Sequence, residues 1–123
     1  MTPTGKILLA EDEHPLAKAL ELKLKSAGFD VLVVNNGQEA IDALGKDTFK
    51  LILTDLIMPG LDGWGLLEFV KKNKPNIQVV VLSNLGQEED RTRAQKLGAS
   101  GYYVKADIQL TEIIDHVKKL LGG

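Results

Sequence analysis

At 123 residues, with a formal net charge of −2 and no cysteine, the chain fits one compact domain and excludes disulfides, thiolate nucleophiles and cysteine-ligated metals. Acidic and basic residues are interspersed, without the basic concentration that announces nucleic-acid binding, and no apolar run approaches the ~20 residues that cross a bilayer. The opening residues carry no basic leader followed by an apolar stretch, so no signal peptide is expected and the expected location is cytoplasmic.

In chain order, the first element is a short apolar run, Ile7-Leu8-Leu9-Ala10, followed by a helical stripe of Leu16, Leu20, Leu24 and Ala27 that Gly28 stops. A second run, Val31-Leu32-Val33-Val34, leads into Asn36 and Glu39, spaced as a capping box ahead of Ala40, Ile41 and Leu44. The third run, Leu51-Ile52-Leu53, precedes a helical face of Leu66, Leu67 and Val70. The fourth, Val79-Val80-Val81-Leu82, precedes a segment of about Gln87 to Leu97 with only Ala94 and Leu97 to bury. That segment is acidic in its first turn and basic later, which complements the helix dipole, and Glu89 and Arg93 are spaced to pair. Weak apolar anchoring marks it as the most mobile helix, since helices in proteins are held chiefly by packing. A fifth run, Tyr102-Tyr103-Val104, is followed by Ile114, Val117, Leu120 and Leu121 on the last helix.

Nearly continuous apolar runs are the mark of strands buried on both faces. Five of them alternating with helices predict right-handed βαβ crossovers and an α/β, doubly wound parallel sheet with helices on both faces. Such sheets place their ligands beyond the carboxyl ends of the strands. At those ends the sequence sets Glu11-Asp12-Glu13, Thr54-Asp55, Ser83-Asn84 and Lys105. Clustered carboxylates repel one another, and a Mg²⁺ ion, which takes oxygen ligands including one or two carboxylates, relieves that repulsion. A carboxylate beside a metal and a lysine is suited to attack phosphorus, where positioning and charge neutralisation dominate. Singly, each residue reads as well as loop solvation, and Asp12 or Glu13 also suits capping of the helix at Pro15. Their joint order on successive strands favours the site.

At these residues the chain resembles the receiver domain of two-component response regulators, through Lys6-Ile7-Leu8-Leu9-Ala10-Glu11-Asp12-Glu13, Asp55-Leu56-Ile57-Met58-Pro59-Gly60-Leu61-Asp62-Gly63, Val81-Leu82-Ser83-Asn84 and Gly98-Ala99-Ser100-Gly101-Tyr102-Tyr103-Val104-Lys105. The resemblance covers essentially the full length. It implies one receiver domain over residues 1–123 with no effector domain in this chain, and a flavodoxin-like strand order of 2-1-3-4-5. It implies Asp55 as phosphoacceptor, Mg²⁺ bound by Asp12, Asp55, Glu11 (through water) and the Ile57 backbone carbonyl, and phosphoryl contacts from Ser83, Lys105 and the Asn84 N–H. Ser83 and Tyr102 take the switch positions. The implied partners are a sensor histidine kinase or phosphotransfer protein, which donates the phosphoryl group, and an output protein or fused effector controlled by the face of the fourth helix, fifth strand and fifth helix. The domain itself is expected to bind no nucleic acid or membrane, and to be a monomer or a phosphorylation-dependent dimer that catalyses only its own phosphorylation and dephosphorylation.

Two positions depart from the family pattern. Ala106 follows Lys105 where proline after a cis bond is usual, which leaves open how Lys105 is aimed. Asn84 stands where a smaller residue is commoner. Ile57 and Leu85 occupy positions that tune loss of the phosphoryl group and offer nothing to orient a water, so slow loss is expected. Met58-Pro59-Gly60 and Asp62-Gly63 read as shaping the loop, Trp64 as a surface aromatic, and His14 and His116 as helix-surface residues. Three rival classes fit less well. A flavodoxin-type electron carrier needs a hydroxyl- and glycine-rich phosphate loop where this chain has Glu11-Asp12-Glu13-His14-Pro15. A haloacid-dehalogenase-like phosphatase needs Asp-x-Asp after its first strand. A receiver-like module without phosphorylation has no reason to keep all five site residues.

Overall fold

The computed structural model describes residues 5–122; the start read as lacking a leader, residues 1–4, and the final Gly123 lie outside them. Five strands, β1 (Lys6–Ala10), β2 (Asp30–Val34), β3 (Leu51–Thr54), β4 (Gln78–Ser83) and β5 (Gly101–Val104), alternate with helices α1 (His14–Ser26), α2 (Gly37–Lys46), α3 (Gly63–Asn73), α4 (Glu88–Lys96) and α5 (Leu110–Leu120). The strands form one parallel sheet in the order β2-β1-β3-β4-β5. The expected doubly wound architecture and strand order are therefore present. No helix among the described residues is long and apolar enough to cross a membrane.

Two cores sit back to back on the sheet. On one face Leu8, Ala10, Ile52, Val79 and Val81 pack against Ala40 and Leu44 of α2, Leu66, Leu67 and Val70 of α3, and Ala94 of α4. On the other, Ile7, Leu9, Leu51, Leu53, Val80 and Leu82 pack against Ala17, Leu20 and Leu24 of α1 and Ile113, Ile114 and Val117 of α5. Successive strand residues point to opposite faces, so the unbroken apolar runs of β1, β3 and β4 feed both cores at once. The edge strands differ from that expectation. On β2 Asp30 and Leu32 are exposed, and every residue of β5 is only half-buried, because no further strand covers their outer edges.

Local chemistry sets the helix starts. Asn36 caps α2, its Oδ1 accepting from the Glu39 N–H at 2.8 Å, while Glu39 returns a carboxylate to the Asn35 N–H at 3.1 Å. Asp62 caps α3 by accepting from the Gly65 N–H at 3.0 Å. At α1 the alternative reading of Asp12 or Glu13 as a cap is not realised: Glu13 holds the N-cap position, but its side chain makes no capping bond. Pro15 sets the first turn without one.

α4 buries only Ala94. What holds it otherwise is cationic. Arg93 lies over the Trp64 ring, 4.1 Å from its centroid, Arg91 lies over Tyr102 at 5.1 Å, and Lys71 of α3 donates to the Lys96 carbonyl at 2.7 Å. Two expectations are corrected here. Arg93 stacks on Trp64 instead of pairing with Glu89, and Trp64, at 9% exposure, belongs to the core rather than the surface. His116 also departs from its surface reading. It is half-buried, shares a 2.7 Å hydrogen bond with the Tyr103 hydroxyl, and packs so close to Gly101 that a Cβ there would come within 2.5 Å of its Cε1. The missing side chain at Gly101 makes the room. His14 is exposed, as expected.

Candidate functional site: an acidic cleft at the carboxyl ends of the strands

The end of β1 delivers Glu11 and Asp12, the end of β3 delivers Asp55, and the end of β4 carries Ser83. Register does the alignment: Ala10 lies opposite Thr54, so β1 and β3 end side by side, and Thr54 lies opposite Val81, so β4 runs two residues further to carry Ser83. Glu11 is fully buried, as is Ser83, and Asp55 nearly so. One carboxylate oxygen from each of Glu11, Asp12 and Asp55 lies within 4.8 Å of the others.

Lys105 closes the cleft from the β5 side. Its peptide bond to Ala106 is trans, as are all those of the described residues, and it opens a 3-10 turn over Lys105–Asp107. From there its ammonium reaches Asp55 Oδ2 at 2.8 Å, Glu11 Oε2 at 3.0 Å and Glu13 Oε1 at 3.2 Å. The aim of Lys105, open in the sequence because proline is replaced, is thus toward Asp55. Burial alone would lower the Lys105 pKa, but its hydrogen bonds to Asp55 and Glu11 and their charges outweigh it and hold the pKa well above the ordinary lysine value. For Glu11 the balance tips the other way. Burial raises its pKa, against the opposing pull of the Glu13 N–H and Lys105.

Backbone donors hold the Asp55 carboxylate. Asp55 Oδ1 accepts from the Leu56 N–H at 2.7 Å and the Ile57 N–H at 3.3 Å, which fixes the side chain against the turn that follows β3. Gly63 makes that turn possible. Its N–H donates to the Leu56 carbonyl at 2.9 Å, and a Cβ there would sit 2.1 Å from the Asp55 carbonyl oxygen. The Ser83 hydroxyl accepts from the Leu85 N–H at 3.2 Å, and the Tyr102 hydroxyl donates to the Leu85 carbonyl at 2.5 Å. Ile57 leaves 57% of its surface exposed beside the cleft, and Asn84 is also exposed.

The donor set suits a hard divalent cation. Three carboxylates offer oxygens only, which is the chemistry Mg²⁺ prefers. Glu11 Oε1 is ion-paired with Lys105 Nζ at 2.9 Å but accepts no aligned hydrogen bond, so this buried oxygen keeps lone-pair capacity for a further partner. Glu11, Asp12, Asp55 and Lys105 come together as the sequence led one to expect, with Ser83 on the neighbouring strand end. Glu13 was missed as a partner of Lys105. An acid in an acidic loop carries no local sign that its carboxylate will turn back to a lysine more than ninety residues later.

Known proteins share this fold. The model of the family described as the response regulator receiver domain matches residues 7–118. The transcriptional activator protein PfeR of Pseudomonas aeruginosa is 36% identical over 103 residues, which cover 84% of this chain and 33% of that protein. Among solved structures, the receiver domain of the Francisella response regulator 1452 superimposes with a TM-score of 0.90 at 30% identity, covering 96% of this chain and 97% of that one. The signal receiver domain of a signal transduction histidine kinase from Syntrophus aciditrophicus does so with a TM-score of 0.86 at 32% identity, covering 97% and 91%. The chain spans about a third to a half of the length of the first curated relatives it matches. With the family model spanning nearly the whole sheet and its helices, and the fold shared end to end with solved receivers, this chain belongs to the response regulator receiver domain family.

Proposed function

We infer that this receiver domain is a phosphorylation-controlled switch in which Asp55 accepts a phosphoryl group from a phosphohistidine of a sensor histidine kinase or phosphotransfer protein, or from a small phosphodonor. The observation that carries the reading is the grip of Lys105 on Asp55 Oδ2, at 2.8 Å, within a buried cleft that also gathers Glu11 and Asp12. An Asp55 carboxylate oxygen attacks phosphorus. The new O–P bond forms as the P–N bond of the phosphohistidine breaks, and the released electron pair stays on the imidazole nitrogen, which takes up a proton from solvent.

The protein's part is to hold and to neutralise. The Leu56 and Ile57 N–H groups keep the carboxylate from rotating away. Lys105 stays charged at neutral pH, because the acids around it favour the ammonium, and its 2.8 Å contact with Asp55 supports a role in following a phosphoryl oxygen once the acyl phosphate forms. The Ser83 hydroxyl and the Asn84 N–H supply further donors. Mg²⁺, when bound, offsets the charge of the carboxylates and of the phosphoryl oxygens. Glu11, Asp12, Asp55 and the Ile57 carbonyl are the groups that would hold it. Neither Ile57 nor Leu85 has a polar side chain to orient an attacking water, so the phosphoryl group is expected to be lost slowly.

The output belongs to the side of the molecule formed by α4, β5 and α5, where Tyr102 connects to Ser83 through Leu85. Several relatives are transcriptional regulators longer than this chain, which supports an output effector, fused or separate; the responding species in this reading is a monomer or a phosphorylation-dependent dimer. The domain acts on no molecule besides its donor and itself, and its expected place is the cytoplasm. The reading is tested by incubating the protein with acetyl phosphate and Mg²⁺ and measuring intact mass. Wild type gains one hydroxylamine-labile phosphoryl group, and neither Asp55→Ala nor wild type with chelator does. A phosphoryl group on the Asp55→Ala protein would move the acceptor elsewhere.

A further inference from the structure

Arg91 is an exposed residue on a helix that buries one alanine, yet its guanidinium covers the ring of Tyr102. Tyr102 is fixed at its other end as well, where its hydroxyl donates to the Leu85 carbonyl. The same Leu85 residue donates its N–H to the Ser83 hydroxyl. Ser83 is fully buried at the end of β4, beside the strand that ends in Asp55. A continuous line of contacts therefore runs from an arginine on the surface of α4, through a tyrosine ring and one backbone residue, to a hydroxyl in the cleft.

We propose that Arg91 is a positioning residue that holds Tyr102 in its Leu85-bonded arrangement and thereby presets the Ser83 hydroxyl for the phosphoryl group; this rests on Asp55 being the acceptor. The physical case is a choice between two placements of one side chain. With its hydroxyl on Leu85, the ring is half-buried against the body of the domain and offers a face to α4. Swung outward, the ring loses both the hydrogen bond and the cation above it. A cation over an aromatic face favours the first placement by an amount worth about a two- to fivefold change in population at an exposed site. Lysine is a poorer substitute, because its compact ammonium cannot lie flat on the ring as a guanidinium does. Arg93 and Trp64 form a similar contact two residues along α4, but among the described residues no hydrogen bond links Trp64 to the cleft, so that contact seats the helix.

Two measurements decide it. In the unliganded protein, NMR contacts between the Tyr102 ring and Leu85 are expected in wild type and weakened in Arg91→Ala, with Arg91→Lys between them; equal contacts in all three overturn the clamp. The second is calorimetric titration with beryllofluoride, a phosphoryl mimic, in the presence of Mg²⁺. Arg91→Ala is expected to bind it about two- to fivefold more weakly than wild type, and to cause no further loss in a Tyr102→Ala background. An equal loss with and without Tyr102 would show that Arg91 acts through general charge and not through the ring, and would sink the proposal. Failure of wild type to bind beryllofluoride would instead strike at Asp55 as acceptor, while the NMR contacts still decide whether Arg91 holds the tyrosine.

Discussion

Asp55 is made available by a residue with no side chain. Gly63 starts α3, yet its α-carbon lies against the Asp55 carbonyl and the Leu56 α-carbon, at 2.1 Å and 2.7 Å from where a Cβ would stand. Backbone cannot yield as the end of a flexible side chain can, so even a methyl group must push the turn after β3 outward. Gly60 makes a useful contrast. It has a φ of +70°, but nothing lies within 4 Å of its would-be Cβ, so its alanine variant is strained only by conformation. Gly63→Ala is expected to cost more than about 2 kcal/mol of stability, in the range of core overpacking. It should also slow Asp55 phosphorylation, because the Leu56 and Ile57 donors move with the turn. Chemical denaturation and the phosphorylation rate check the two halves, and a variant as stable as wild type would show that the turn has slack the geometry does not suggest.

Among the elements, α2 and α4 show two ways of holding a helix. α2 starts on a reciprocal set of bonds between Asn36, Glu39 and the Asn35 N–H, and it buries Ala40 and Leu44 in the core. Its cap and its apolar face were both legible in the sequence, because the partners lie within four residues of one another. Asn36→Ala removes the acceptor for the Glu39 N–H and is expected to destabilise the domain by about 1 kcal/mol; thermal melts resolve such a change, and an unchanged melting temperature would mean that water replaces the cap at no cost. α4 was legible only in part. Its scarcity of apolar residues was plain, but the Arg93–Trp64 and Arg91–Tyr102 contacts join residues from different elements, and no spacing rule links them. Trp64 was placed on the surface for the same reason, since its cover arrives from a helix about thirty residues on. The direction of Lys105 was likewise hidden: the residues after it are local, but the acids that attract it stand just beyond the ends of β1 and β3.

At the scale of the whole molecule, the sheet joins two cores that share every central strand, so α1 and α5 on one side and α2 and α3 on the other lose their packing together when β1, β3 and β4 separate. α4 stands outside this arrangement. It gives Ala94 to the core and is otherwise seated by two arginines on rings and one lysine on its last carbonyl. Contacts of that kind at exposed sites contribute on the order of 1 kcal/mol each, far less than the burial of leucines that fixes α1. The helix can therefore open while the sheet stays intact, as segments with few buried apolar contacts do in native proteins. Native-state hydrogen exchange is expected to show the amides of α4 exchanging at least roughly tenfold faster than the central amides of α1 and α5, with little dependence on low concentrations of denaturant, because a local opening exposes little new surface. The α1 and α5 amides should instead follow the global unfolding reaction. If α4 proved as protected as α1 and equally sensitive to denaturant, its cationic contacts would be as strong as a leucine core, and the proposed phosphorylation of Asp55 would have no loosely held helix to move.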